Sequence, residues 1–418
     1  MRLVTFADLI LGSVLFAQNM QLLIITHKAV FPVDDGHSFA MAQGILGLCA
    51  CGAKVHVLAM NTHKHQKPTE LQHNPYPGNL TYETHSVNTT PGVLSALLNL
   101  CSAESYFVSR FRHIVFQNAI IARLKLQHFD IIQFEGIFPA LYINIVKPLS
   151  KALCIIRTHN IEFQIWEERQ QWLTNSIKSW YFKLQTARLK RYEIHQLQKA
   201  DAWVPISKED AAALKRLIKT DTPLHVAPTG IEIKHRKKQQ AYKDLLFVGS
   251  LDWEPNRMGL NWFFLKIWPL LCQTHPAIQI TLIGRGAQNY AKGILQCTAV
   301  DFVPDLNPYY ETHQVVIIPI LHGGGMRIKL LEAMAFGMPV VTTTKGNQGL
   351  HALAGQHVCV ADTESDFLNA IVLLLTQPPL RQQFEKAAHD WVQKEFNQTQ
   401  IMQGWFSQYQ HWINTLCS

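Results

Sequence analysis

The sequence predicts an α/β protein of two domains, each built on a mainly parallel sheet. Short apolar runs of strand length alternate with longer stretches of helical character along most of the chain. A charged stretch, Ile233-Lys-His-Arg-Lys-Lys-Gln-Gln240, interrupts the alternation near the middle, as linkers do. The length, 418 residues, suits two domains of ordinary size.

The elements follow in order. Leu22 to Thr26 is a continuous apolar run and reads as a buried strand. Phe39 to Cys51 reads as a helix stopped by Gly52, and Lys54 to Met60 as a second strand. The polar stretch His63 to Gly78, with histidines and prolines, reads as a loop. Asp130 to Phe134, Leu153 to Thr158 and Ala202 to Ile206 are further strands. The second series has strands at Leu245–Gly249, Ile278–Gly284, Ala299–Val303, Val315–Ile320, Val340–Thr344 and His357–Ala361. Arg381 to Ser418 reads as helical. The expected organisation is an extension at 1–19, a domain at 20–206, a linker region at 207–241, a second domain at 242–385, and a helix at 386–418. Residues 1–19 have Arg2 and an apolar core but Asp8 at its start and a poor cleavage site. A start at Met20 is the preferred reading over a signal or anchor.

Composition bounds the function. Apolar residues make up 48% and charged residues 16%, so the chain can bury a full core. Eight cysteines are scattered with no C-x-x-C, which excludes a zinc ribbon and suits buried thiols in a reducing compartment. The formal charge of +8 suits nucleic acid, an anionic membrane or an anionic small molecule. No RNA- or DNA-binding motif is present, so no nucleic acid is expected.

The most informative stretch runs from the apolar strand Val315–Ile320 through Gly323, Gly324 and Gly325 into a helix that opens with Met326, Arg327 and Lys329. Glu332 lies a turn further in, and Gly337 and Pro339 close the helix. A strand, a glycine turn and a helix N-terminus make an anion site, since the orphan N–H groups and the positive helix end face the ligand. Two added cations suit a diphosphate, and Glu332 is placed to accept hydrogen bonds from sugar hydroxyls. The alternative is a solvated face with Lys329 paired to Glu332.

Glu332-Ala-Met-Ala-Phe-Gly-Met-Pro-Val-Val341 resembles the C-domain signature of GT-B glycosyltransferases, in particular the GT4, or group 1, family. Phe247-Val-Gly-Ser-Leu-Asp-Trp-Glu-Pro-Asn256 resembles that family's first nucleotide-domain strand and glycine turn. Val226-Ala-Pro-Thr-Gly-Ile231 resembles its interdomain turn. The resemblance implies two Rossmann-like β/α/β domains facing each other across a cleft. It also implies transfer of a sugar from a nucleotide-diphosphate donor to a hydroxyl acceptor, with retention of configuration and no metal or other cofactor. The acceptor it implies is a cell-surface glycan or its lipid-linked precursor. Gly249, Ser250, Gly284, Val303, Gly323, Gly324, Gly325 and Met326 would line the donor site, with Glu332 on the ribose. Gly36, in the loop after the first strand, would lie near the phosphates and the acceptor. The chain departs from the family pattern at two positions. The first glutamate of the usual E-x7-E pair falls on Gly324, and a usual arginine falls on Ser250. Arg327 and Lys329 are expected to supply the missing cation.

Glu135 and His159 end strands, where side chains of an α/β fold face the ligand crevice. His159 is a candidate to bind sugar or acceptor, and Glu135 to orient or deprotonate the acceptor hydroxyl. A structural role for the histidine is the alternative. Asp34 and Asp35 read as a helix cap rather than a metal pair. The basic, aromatic stretches Tyr106–Arg112, Ile177–Lys183 and Arg188–Tyr192 suit peripheral contact with an anionic membrane, and the expected location is the cytoplasm or the inner face of the plasma membrane. The rival readings are a nucleotide-sugar 2-epimerase of the same fold and a non-catalytic binding protein on a GT-B frame.

Overall fold

The computed structural model describes residues 20–33, 35–63, 66–68, 74–170, 176–234, 236, 242–323 and 326–416. The expected extension 1–19 lies outside them, as does Asp34. The chain forms two units. The N-terminal unit takes the described residues up to Gly230 and the last segment from Gln398, and the C-terminal unit takes Ile231–Asn397.

The N-terminal unit is built on strands β1 (Gln21–Thr26), β2 (Lys54–Thr62), β3 (Leu80–Val87), β4 (Ile131–Glu135), β5 (Leu153–Thr158) and β6 (Ala202–Pro205). They pair in parallel in the order β3-β2-β1-β4-β5-β6. Residues alternate between the faces of a strand. Leu23 and Ile25 of β1 enter one core with Ile132, Phe134 and Trp203, while Leu22 and Ile24 enter the other with Ile131, Ile155 and Trp405. Burial on both faces explains why these strands read as continuous apolar runs. The edge strand β3, Leu80-Thr-Tyr-Glu-Thr-His-Ser-Val87, carries only two buried residues and was not among the expected strands.

The C-terminal unit repeats the plan with β7 (Lys243–Val248), β8 (Ile280–Ile283), β9 (Cys297–Val300), β10 (His313–Ile318), β11 (Val340–Thr342) and β12 (Cys359–Val360). The order is β12-β11-β10-β7-β8-β9, again parallel. In each unit the order reverses beside the first strand, between β1 and β4 and between β7 and β10. Ligands of open α/β sheets bind outside the strand C-termini at that reversal.

Two expected boundaries move. Residues 207–241 are not all linker, because the helix Lys208–Ile218, capped by Ser207, packs Leu214 and Ile218 into the N-terminal core. The last helical region is two helices. Pro378–Glu395 buries Phe384, Ala388 and Val392 in the C-terminal unit, and Gln398–Leu416 belongs to the N-terminal unit, so the return begins at Gln398 rather than at 386. The terminal helix lies close over the helix Gly36–Ala50, where a Cβ at Gly47 would run into Met402 and one at Gly44 would press on Trp405 at 3.1 Å. The seven described cysteines are all free.

Candidate functional site

In the C-terminal unit the two glycine turns at the switch point pack backbone on backbone. Gly249 follows β7 and donates its N–H to Ile283 O at 2.7 Å. A Cβ at Gly284, after β8, would collide with the Gly249 carbonyl. Lys329 reaches the same turn from the first turn of the helix Ile328–Ala335. Its ammonium donates to Asn256 Oδ1 at 2.6 Å and sits 4.5 Å from the centre of the Phe247 ring. Asn256 in turn donates to Ser250 O at 2.7 Å. A side chain at Gly249 would fill this space, since its Cβ would stand 2.9 Å from the Lys329 ammonium. Burial, then the neighbouring Arg327, pushes the Lys329 ammonium down to about 7. The pairing of Lys329 with Glu332 that the i,i+3 spacing allows is not formed.

Arg327 is the helix N-cap rather than its first residue, and it is buried. Its guanidinium folds back to donate to Gly323 O at 2.6 Å and covers the Trp253 ring at 5.2 Å. It therefore braces the glycine loop, where the sequence suggested a cation for a diphosphate. Gly324 and Gly325 lie outside the described residues. Gly323 takes a positive φ of 99° and packs on Pro255 and Trp253. Met326 and Val303 both lean on the core that holds Ile320 and Leu330. Glu332 is half-buried and has no hydrogen-bond partner among the described residues. Burial pushes its carboxyl up to about 7, against the pull of Lys234.

In the N-terminal unit, Glu135, Arg157 and His159 come together at the ends of β4 and β5. Glu135 is fully buried and accepts from His159 Nε2 at 2.6 Å, Gln133 Nε2 at 2.5 Å and Arg157 at 3.4 Å. Burial alone would raise its carboxyl, but Arg157 and His159 outweigh that and hold it below the usual range. An ionised carboxylate only accepts, so His159 carries its proton on Nε2 and leaves Nδ1 as an acceptor. Burial, against the hydrogen bond to Glu135, lowers His159, which is therefore neutral at pH 7. Direct contact of Glu135 with an acceptor hydroxyl is ruled out in this arrangement by its burial. It orients His159 instead.

The network extends further. Tyr409 of the terminal helix donates to Gln133 Oε1 at 2.5 Å, and Trp405 lies under the Arg157 guanidinium at 4.6 Å. His37 holds its ring 4.4 Å from that of His159, tilted by 42°, and its buried Nε2 has no hydrogen-bond partner among the described residues. Asp35 caps the helix Gly36–Ala50 through Ser38, as the sequence suggested, and its carboxylate holds Lys28 at 2.6 Å. Burial would raise Asp35, but Lys28 and Ser38 hold it at about 2. Gly36 is exposed at the first position of that helix.

Sequence reasoning brought Gly249, Ser250, Gly284 and Lys329 to one place, and His159 with Glu135 to another. It missed Asn256, Phe247, Gln133, His37 and Tyr409 as participants. Gln133 was legible, because an amide inside the apolar run Ile131-Ile-Gln-Phe-Glu135 has to find a buried partner.

Comparison with known proteins agrees with this fold. Residues 242–377 match the family of glycosyl transferases group 1. The C-terminal unit is thus a group 1 glycosyltransferase domain, and the two doubly wound units give the chain a GT-B fold. Sucrose-phosphate synthase of Thermosynechococcus elongatus is similar in structure, with a TM-score of 0.68 at 16% identity, over 94% of this chain and 98% of that one. HepE of Anabaena, in complex with UDP and glucose, is similar with a TM-score of 0.62 at 13% identity, over 94% and 100%. An uncharacterized glycosyltransferase of Haemophilus influenzae is 23% identical over 217 residues, 49% of this chain and 60% of that protein. An uncharacterized 44.6 kDa protein in the cps region of Klebsiella pneumoniae is 27% identical over 160 residues, 35% and 41%. The matched regions thus span less than two thirds of these two relatives. No helix among the described residues is long and apolar enough to cross a membrane.

Proposed function

We propose that the protein is a glycosyltransferase that moves a sugar from a nucleotide-diphosphate donor to a hydroxyl acceptor. The observation that carries this reading is Lys329. It is a buried-edge ammonium held by Asn256 at the glycine turn after β7, on the first turn of a helix whose N–H groups face the same loop, in a domain of the group 1 family. Negative charge grows on the diphosphate as the sugar departs. A fixed cation and oriented N–H groups stabilise that charge without reorganising. Glu332 takes the ribose hydroxyls, and Arg327 keeps the loop in shape. His159, fixed by Glu135, offers Nδ1 to the acceptor hydroxyl. The donor is a uridine or related nucleotide sugar, a reading that the UDP complex of the similar HepE supports. The acceptor is a cell-surface glycan or its lipid-linked precursor, a reading supported by the relative in a cps region. Retention of configuration and independence of metal rest on the motif resemblance. They are read by NMR of the product anomer and by activity in EDTA.

Calorimetric titration with UDP, GDP, ADP and dTDP is the first test. One nucleotide is expected to bind selectively, with affinity reduced about tenfold or more in the Arg327→Ala, Lys329→Ala double variant. No binding of any of them by the folded protein sinks the reading.

A further inference from the structure

The N-terminal unit carries a short helix that leaves its large apolar side chains outside. Val93–Leu98 buries none of its six residues. Its one hydroxyl, on the exposed Ser95, hydrogen-bonds Tyr106 Oη at 2.7 Å, and that tyrosine oxygen accepts from the Gly92 N–H at 2.9 Å. Arg188 then donates to the carbonyls of Asn99 and Leu100, at 3.0 and 3.1 Å, and fixes the far end. Polar bonds therefore hold the helix in place while Val93, Leu94, Leu97 and Leu98 point to solvent, each between 57 and 81% exposed. A helix of a soluble protein ordinarily does the reverse. Arg188 stands on the same stripe of the helix Ser176–Lys199 as Ile177, Trp180 and Leu184, at helical spacing. Ile177 is 77% exposed and Trp180 58%, so that stripe exposes apolar groups of its own.

Of the stretches that the sequence singled out, Ile177–Lys183 supplies the exposed Ile177 and Trp180, whereas Tyr106–Arg112 turns its aromatic residues inward. Tyr106 and Phe107 are buried, and Phe107 stacks on Trp166 at 4.0 Å. What remains outside is aliphatic side chains, one tryptophan and the exposed lysines Lys178 and Lys183, while Arg112 is paired with Glu104 at 2.6 Å. A protein partner would be met by aromatic and shape-specific anchors in pockets. Aliphatic side chains with a tryptophan at their margin and lysines between them match the boundary of a bilayer, where acyl chains take the apolar groups and anionic headgroups take the cations.

We propose that the face formed by the helix Val93–Leu98 with Ile177 and Trp180 docks the protein on an anionic lipid surface. The inference stands apart from the transferase reading. The test is co-sedimentation of the whole chain with vesicles of phosphatidylcholine alone and of phosphatidylcholine with phosphatidylglycerol, at low and high salt. Wild type is expected to bind the anionic vesicles, less so in high salt. The Leu94→Ser, Leu97→Ser, Trp180→Ser variant is expected to lose about tenfold or more in partition. All three side chains are exposed, so its circular dichroism and melting are expected to match wild type. Lys178→Glu with Lys183→Glu is expected to lose the preference for phosphatidylglycerol. Wild type that stays in solution overturns the proposal, as does a triple variant that binds equally well. A wild-type dimer that the triple variant dissolves, with no vesicle binding, assigns the face to a second copy and also overturns it. Vesicle binding by a chain that binds no nucleotide would keep this inference and remove the transferase reading.

Discussion

At the residue scale the proposed donor site rests on two side chains shifted in opposite directions. Burial and Arg327 bring Lys329 down to about 7, and burial brings Glu332 up to about 7. A diphosphate needs the ammonium charged, which favours low pH. Ribose hydroxyls need the carboxylate ionised, which favours high pH. Nucleotide affinity is therefore expected to peak near pH 7 and to fall on each side by up to about tenfold per pH unit. Lys329→Met should flatten the alkaline limb relative to wild type, and Glu332→Gln the acid limb. Titrations from acid to alkaline pH on the three proteins check this, and parallel profiles would show that other groups set the optimum. These two residues were legible because a helix N-terminus after glycines states its chemistry in one continuous stretch. The partners of Lys329, Asn256 and Phe247, were not, since a hydrogen bond across 73 residues leaves no local pattern.

At the element scale the strands that were legible are those buried on both faces. β5 was placed to the residue, and β1, β4 and β11 within a residue or two. The edge strand β3 is half polar, so period and composition hide it. Glycines in helices carry a second kind of information that periodicity does not express. A Cβ at Gly259, in the helix Glu254–Trp262, would overlap the Pro319 carbonyl, which is backbone and lies just before the glycine loop. A Cβ at Gly47 would meet the Met402 side chain, which can turn away. Alanine gains up to about 1 kcal/mol over glycine in a helix, and overpacking costs about 1–3 kcal/mol. Gly47→Ala is thus expected to be near neutral, whereas Gly259→Ala should destabilise by about 1–3 kcal/mol and weaken nucleotide binding. Urea midpoints and calorimetry on both variants decide it, and equal costs would refute the distinction between backbone and side-chain contacts.

At the scale of the whole molecule, buried titratable groups make stability a function of pH with an interior maximum. Burial holds His37, His56, His159 and His225 of the N-terminal unit below their ordinary value of 6.5. The unfolded chain binds more protons at these sites below 6.5, so stability rises with pH up to that point. Glu193 works the other way. It is buried at the start of the helix Glu162–Gln170, accepting from the N–H groups of Glu162 and Phe163 at 3.0 Å each. Burial, then the neighbouring Glu162, raises its carboxyl to about 8 from 4.5. The folded state binds the extra proton between those values, so this group costs stability as pH climbs from about 5 toward 8. Glutamine keeps an acceptor for the two N–H groups and cannot ionise. Glu193→Gln is therefore expected to gain on wild type steadily through that window and to level off above about 8. Groups other than Glu193 and the neighbouring Glu162 titrate alike in both proteins, so the difference in melting temperature isolates that pair. A constant difference from pH 5 to 8 would mean that Glu193 ionises normally in the folded chain.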